Sequence, residues 1–185
     1  MSERTLTRDI ARARTGDAGA FGRLYDEYAG RVYAFVRSRT HSSQDAEDVT
    51  ATVFMKAFEA LPAYDDRGLP FSAWLFRIAR NAIVDEHRRS GRVPTPVEDV
   101  GEPGEPVSGP EQAAIVSADG ARVRAAVRKL TEEQASVIAL RFWWDMSIAE
   151  TAEALGRNEG AIKALQHRAT RSLARLLEES ESDEA

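Results

Sequence analysis

Apolar residues recur along this chain at spacings of three and four, and no stretch alternates over the length of a strand. That period marks helices packed by one face. The pattern predicts an all-α protein: two helical domains joined by an extended linker, the second containing a helix-turn-helix. Residues 1–15 form a short helix carrying Ile10 and Ala13, which Gly16-Asp17 breaks. Asp17 can cap a long helix through Phe21, Leu24, Tyr25, Tyr28, Val32, Phe35 and Val36. After His41-Ser42-Ser43 a third helix runs from Gln44 to Leu61. Its spacing turns Val49, Val53, Phe54, Ala57 and Phe58 inward and Asp45, Asp48, Ala51, Thr52 and Met55 outward. Residues 62–70 are a loop carrying Asp65, Asp66 and Gly68.

The stretch from Phe71 to Arg89 divides into two arcs at 3.6 residues per turn. Trp74, Leu75, Ile78, Ala79, Ala82 and Ile83 fall on one side; Arg77, Arg80, Asn81, His87 and Arg88 fall on the other. Arg77, Asn81, Val84 and Arg88 form a stripe, with Trp74 at the border on the edge of Asn81 and Asp85. A basic stripe with an amide and an aromatic at its edge suits phosphates and unstacked bases. The same pattern also fits a core helix with a solvated basic face.

The segment from Gly91 to Gln112 differs in kind. Pro94, Pro96, Pro103, Pro106 and Pro110 fall there, beside Glu98, Asp99, Glu102, Glu105 and Glu111. It can bury almost nothing, and reads as a linker or an inert tether. Beyond it, Val123, Val127 and Leu130 line one helix. Thr131 to Gln134 has capping-box spacing and opens a helix through Val137, Ile138, Leu140 and Arg141. Ser147 to Glu150 is a second capping box, starting a short helix that ends at Gly156, a residue suited to a left-handed turn. Asn158 can cap the last helix, whose buried face is Ile162, Leu165, Ala169, Leu173 and Leu176. Lys163, His167 and Arg171 form its outward stripe, with Arg168 and Arg175 alongside. A recognition helix has this layout; a structural helical hairpin shares the apolar face but does not account for the basic stripe.

Composition sharpens the picture. The 185 residues allow one or two domains, and 43% hydrophobic content supports a core. With no cysteine, disulfides, thiolate metal sites and cysteine nucleophiles are excluded. No apolar run reaches the roughly 18 residues of a membrane span, and the N-terminus lacks a signal-peptide pattern, so the expectation is a soluble cytoplasmic protein. The net charge of −5 argues against nucleic acid until its distribution is seen. Arg67 to Arg92 holds six arginines against Asp85 and Glu86, and Arg157 to Arg175 holds five Lys/Arg against Glu159. Two basic islands in an acidic chain suit two specific nucleic-acid contacts with little non-specific affinity. His41, His87 and His167 are scattered without metal-ligand spacing, and neither a phosphate-binding glycine loop nor a nucleophile motif occurs. No cofactor, metal or catalytic residue is expected. Asp45, Glu47 and Asp48 are most simply favourable charges at a helix start.

Three segments, in order, resemble a known family. WLFRIARNAIVDEHRR, Trp74 to Arg89, resembles the promoter-melting, minus-ten-reading segment of bacterial extracytoplasmic-function sigma factors. DAEDVTATVFMKAF, Asp45 to Phe58, resembles their polymerase-binding helix, and Leu130 to Ala169 resembles their minus-35-reading domain. Ala149 and Thr151 depart from the usual Glu and Ile, and Leu165-Gln166 stands where Arg-Leu is commoner. The resemblance implies a non-enzymatic subunit that binds core RNA polymerase and promoter DNA, with an anti-sigma factor as a further candidate partner. Residues 1–91 would bind polymerase and melt the minus-ten element, 92–112 would be the acidic linker lying along the RNA channel, 113–178 would read the minus-35 element, and 179–185 would be an acidic tail. It implies minus-ten contacts at Tyr64, Asp65, Asp66, Arg67, Phe71, Trp74, Arg77, Arg80, Asn81, Arg88 and Arg89, with the loop from Tyr64 to Phe71 helping to form a pocket for a flipped base. It implies minus-35 contacts at Arg157, Asn158, Gly160, Ala161, Lys163, Ala164, His167, Arg168 and Arg171, and polymerase contacts at Asp45, Asp48, Ala51, Thr52 and Met55. The other class in view is a free-standing helix-turn-helix regulator with an unrelated sensor domain, which leaves the melting-type helix without a purpose.

Overall fold

The computed structural model describes residues 2–65, 69–89 and 118–183. It is helical, with no strand among the described residues. The first domain comprises α1 (Glu3–Arg14), α2 (Ala18–Arg37), α3 (Ser43–Ala60), a short 3-10 turn (Leu61–Ala63) and α4 (Phe71–Arg89). The second comprises α5 (Ala118–Arg128), α6 (Glu132–Ile138), a π-turn (Ala139–Trp143), α7 (Ile148–Leu155) and α8 (Glu159–Asp183). The linker expected at 92–112, with Asp66 and Arg67, lies outside the described residues. No helix among the described residues is long and apolar enough to cross a membrane.

Local chemistry sets the helix ends. Ser2, Asp17, Ser42, Thr131 and Ser147 each accept a hydrogen bond from a backbone N–H in the first turn that follows. Both expected capping boxes form, Thr131 with Gln134 and Ser147 with Glu150. Gly156 sits at φ +63°, in the left-handed region, and lets Arg157 N–H reach the Ala152 carbonyl at 2.9 Å. Asn158 Oδ1 accepts from Ala161 N–H at 2.8 Å and opens α8. That helix runs to Asp183, so the acidic end expected as a separate tail begins as the last turns of α8.

Leu24, Val32, Val36, Val53, Leu75 and Phe76 are fully buried at the centre of the first domain. Asp9 is a core member that the apolar pattern does not announce. It has no solvent exposure and takes both Nη2 (2.7 Å) and Nε (3.0 Å) of Arg23, tying α1 to α2. The second domain has smaller cores: Val127, Leu130, Ile138 and Ala169 in one, Val137, Ile162 and Leu165 in the other.

The expected helix through Leu140 and Arg141 forms, but it changes type on the way. Regular α structure stops at Ile138, and Trp144 N–H bonds five residues back to the Ala139 carbonyl at 3.0 Å. Asp145 then takes φ +50°, which an Asp tolerates better than most residues, and Met146 N–H returns to the Leu140 carbonyl at 2.9 Å. This knot aims Leu140, Trp144 and Met146 at the first domain, whose core they join together with Ala154 of α7. Trp144 lies 5.6 Å from Phe76 and 6.1 Å from Tyr28, ring centre to ring centre.

Candidate nucleic-acid interface

Three surfaces carry the expected contacts. The first is the basic face of α4. Arg77, Asn81, Arg88 and Arg89 are exposed, Arg80 and Val84 are half-buried, and Leu75, Ala79, Ala82 and Ile83 are inside. The arcs therefore fall as the periodicity predicts, except at two positions. Phe76 is fully buried, between Phe35 at 4.6 Å and Trp144 at 5.6 Å. His87 turns inward, its Nε2 3.0 Å from the Arg39 carbonyl at the end of α2. Lys56 Nζ meets Asp85 at 2.9 Å and holds α3 to α4; that ammonium keeps the Asp85 carboxyl below its ordinary range.

The loop before α4 is built differently from a stacking pocket. Tyr64 and Phe71 are buried core rings here, 5.7 Å apart and nearly perpendicular, with the Tyr64 hydroxyl donating to the Leu69 carbonyl at 2.9 Å. Both rings of the loop expected to help form a flipped-base pocket are packed inside the domain. They hold Trp74, which contacts both rings (5.0 and 5.3 Å) and remains half-exposed. In the sequence Tyr64 and Phe71 flank a polar loop, a position that does not announce their burial. The ring-on-ring packing that consumes Tyr64 and Phe71 is a tertiary fact.

Two of the α4 cations are engaged by the second domain. Arg77 donates from Nε to the Ala154 carbonyl (3.1 Å) and from Nη2 to the Glu153 carbonyl (2.9 Å), at the C-terminal end of α7. A cation suits that negative helix end. Arg80 Nη2 meets Glu132 Oε1 of α6 at 2.7 Å. Between them a cleft of about 280 Å³ opens, with Arg77, Arg80 and Asn81 on one wall and Ala154, Leu155 and Gly156 on the other.

The second surface is α8. Ile162, Leu165 and Ala169 are buried, whereas Lys163, Ala164, His167, Arg168 and Arg171 are exposed along the opposite side. Asn158 and Gly160 are exposed at its start and Ala161 is half-buried. Arg157 pairs with Glu133 of α6, so it is held at the domain edge. Thr151, unusual at a position that buries side chains, is itself fully buried. It satisfies its hydroxyl by donating to the Ser147 carbonyl at 2.8 Å.

The third surface is the outer face of α3. Asp48, Ala51 and Met55 are exposed, Met55 to 63%, and the half-buried Thr52 donates to the Asp48 carbonyl. Phe58, expected inside, is 47% exposed and packs on Phe21 at 5.0 Å, the rings nearly perpendicular. Its spacing from Ala51 and Met55 (i, i+4, i+7) already places it on their stripe. Tyr25, also exposed, packs on Phe54 at 4.6 Å, so the patch extends across the groove between α2 and α3. Among the described residues no cluster of His, Asp and Glu could hold a metal ion.

Residues 24–93 match the Sigma-70 region 2 family and residues 126–175 match Sigma-70, region 4. The chain is 40% identical over 169 residues to the ECF RNA polymerase sigma factor BldN of Streptomyces coelicolor, covering 91% of this chain and 64% of that one. It is 34% identical over 178 residues to the ECF RNA polymerase sigma factor SigD of Mycobacterium tuberculosis, covering 94% of this chain and 84% of that one. Its fold is similar to that of CnrH in complex with the cytosolic domain of CnrY. That match has a TM-score of 0.71 at 29% identity and covers 94% of this chain and 97% of the other.

Proposed function

The chain belongs to the extracytoplasmic-function sigma factors of RNA polymerase, proteins of promoter-specific transcription initiation, and from that premise we propose how its three surfaces divide the work. The outer face of α3 binds core RNA polymerase, with Ala51, Met55 and Phe58 as an apolar centre and Asp45 and Asp48 as its acidic rim. The basic face of α4 takes the minus-ten element: Arg77, Arg80 and Arg88 offer charge to the phosphates of the non-template strand, Asn81 offers an amide to a base edge, and Trp74 offers a ring face. Helix α8 enters the major groove at the minus-35 element with Lys163, His167 and Arg171, while Arg157 and Arg168 reach phosphates. The protein contributes binding and strand separation, the polymerase contributes the chemistry, and the two meet in the cytoplasm. An anti-sigma protein is a further partner, in keeping with the similar structure of the sigma factor RpoE in complex with the anti-sigma factor NepR from Bartonella quintana.

The observation that supports this most is the pairing, in one chain and in the family's order, of a melting-type helix with an open recognition helix. A free-standing regulator has use for α8 alone. Run-off transcription with purified core polymerase tests the reading. Discrete start sites that depend on the added chain are expected, and transcripts identical with and without it would overturn it.

A further inference from the structure

We propose that Glu159 is a specificity-determining residue of α8: its carboxylate accepts a hydrogen bond from the exocyclic amine of a cytosine in the minus-35 element, next to the base that Lys163 reads. The proposal rests on the assignment of α8 to that element. Glu159, Lys163, His167 and Arg171 follow one another at intervals of four, so the outward basic stripe begins with an acid. All four side chains are exposed. The N-terminal end of a recognition helix is the part that meets base edges. Across residues 158–161 Glu159 holds the one side-chain acceptor left open. Asn158 Oδ1 is committed to the Ala161 N–H at 2.8 Å, Gly160 has no side chain, and Ala161 offers a methyl group.

The chemistry of the groove narrows what such an acceptor can meet. An ionised carboxylate accepts hydrogen bonds and donates none. In the major groove cytosine presents an amine, guanine presents the acceptors O6 and N7, and thymine presents the acceptor O4; adenine sets its amine beside the acceptor N7. Glu159 therefore rejects keto bases as well as attracting cytosine. The phosphates repel it on every sequence, so it weakens binding wherever no amine stands opposite. Lys163 Nζ lies 3.8 Å from Glu159 Oε2, beyond hydrogen-bond reach and close to the roughly 3.4 Å rise between bases along a strand. The two side chains thus offer a donor and an acceptor at the spacing of neighbouring bases. A pair this exposed holds weakly and gives way to base contacts. An acid in the first turn also favours the helix end by itself. That role needs no base opposite, and it shows in stability rather than in base preference.

The test is selection of duplexes from a randomised pool by core polymerase carrying the full chain, with base frequencies compared among wild type, Glu159→Ala, Glu159→Gln and Lys163→Ala. The wild type should enrich a cytosine adjoining a base whose preference disappears in Lys163→Ala. Glu159→Ala should reduce the preference for that cytosine by about tenfold, at that position alone, and tighten binding to unselected duplex. Glu159→Gln can both accept and donate, so it should shift the same position toward adenine. It also carries the test if Glu159→Ala fails to fold, which thermal melting of each variant reports. Unchanged base frequencies with a uniform gain in affinity would reduce the carboxylate to a brake on binding and overturn the proposal. Unchanged frequencies with a lower melting temperature would reduce it to a helix-end charge and overturn the proposal equally. A wrong assignment of α8 gives a different result: Lys163→Ala would then leave every base frequency unchanged as well.

Discussion

Asp9 shows how a single carboxylate can set a pH dependence. Arg23 forks onto it, and those hydrogen bonds together with the Arg23 charge hold its carboxyl below the ordinary value of 3.8. Asp17 is held low as well, by the Ala20 N–H it caps and by Arg12. Both groups favour the folded state while charged. Their stabilisation is complete above the unfolded carboxylate range and disappears as pH falls through the lowered folded values. Thermal melting should therefore hardly respond to these groups between pH 7 and 5 and should decline below about pH 4, where the unfolded chain takes up their protons. Asp9→Asn should lower the melting temperature at neutral pH and flatten the acid decline; an unaltered acid limb would remove Asp9 from the account. The residues of the α3 face act on binding. Met55→Glu, and separately Asp48→Arg, should weaken core-polymerase affinity by about 1–3 kcal/mol, the range of an ordinary hot spot. Both side chains point to solvent, so neither should lower the melting temperature. Phe58→Asp should act on affinity in the same way. Wild-type affinity in all three would move the polymerase contact elsewhere.

Among the elements, the two DNA helices make different demands. Arg171→Ala on α8 should cost about 1–3 kcal/mol at its preferred minus-35 sequence if the guanidinium reads a base. If it meets a phosphate, the loss is uniform across sequences and the salt slope falls by about one. On α4, Arg80→Ala or Asn81→Ala should reduce permanganate-detected melting while leaving core binding intact; normal melting in both would place strand capture on another face. The turn between α7 and α8 is a backbone matter. Gly156 holds φ +63° and a Cβ there would meet nothing within 4 Å, so Gly156→Ala should cost about 1–2 kcal/mol from conformation alone, read as a shift in the urea midpoint. These elements were legible beforehand because each is specified locally. Caps at Asp17, Thr131, Ser147 and Asn158, the glycine at 156 and the buried stripe of α8 all lie where spacing and chemistry put them. The π-turn at Ala139–Trp143 was not legible, because Leu140 and Arg141 continue a helical period perfectly well. The tertiary pull on Trp144 and Met146 is what breaks it.

At the scale of the whole molecule, the same gap recurs in a larger form. Helix periodicity reports which face of a helix is buried, and it cannot say that a second domain will cover part of the other face. Periodicity does not put Phe76 on the inner arc and leaves Arg77 and Arg80 as open cations, whereas Phe76 lies against Trp144, Arg77 bonds the end of α7 and Arg80 pairs with Glu132 of α6. Tyr28 carries the same message: burial pushes its hydroxyl up to about 12, in a site closed partly by Trp144 of the other domain. A core shared in this way couples the stabilities of its two halves. The second domain's own cores are small, so contact with Tyr28 and Phe76 contributes a large share of what holds it. Removing a buried Trp ring costs about 3–5 kcal/mol, and here most of its ring partners lie across the seam. Denaturant unfolding of the wild type should thus be a single transition, with helix content and calorimetric heat coinciding. In Trp144→Ala the second domain should melt first and separate from the first, whose core of Leu24, Val32, Val53 and Leu75 is untouched. Glu132→Arg should move the curve much less, since an exposed pair such as Arg80–Glu132 is worth about 0–1 kcal/mol. A uniform shift of one intact transition in Trp144→Ala would show that the domains couple by another route. Two transitions already present in the wild type would show that they do not couple at all.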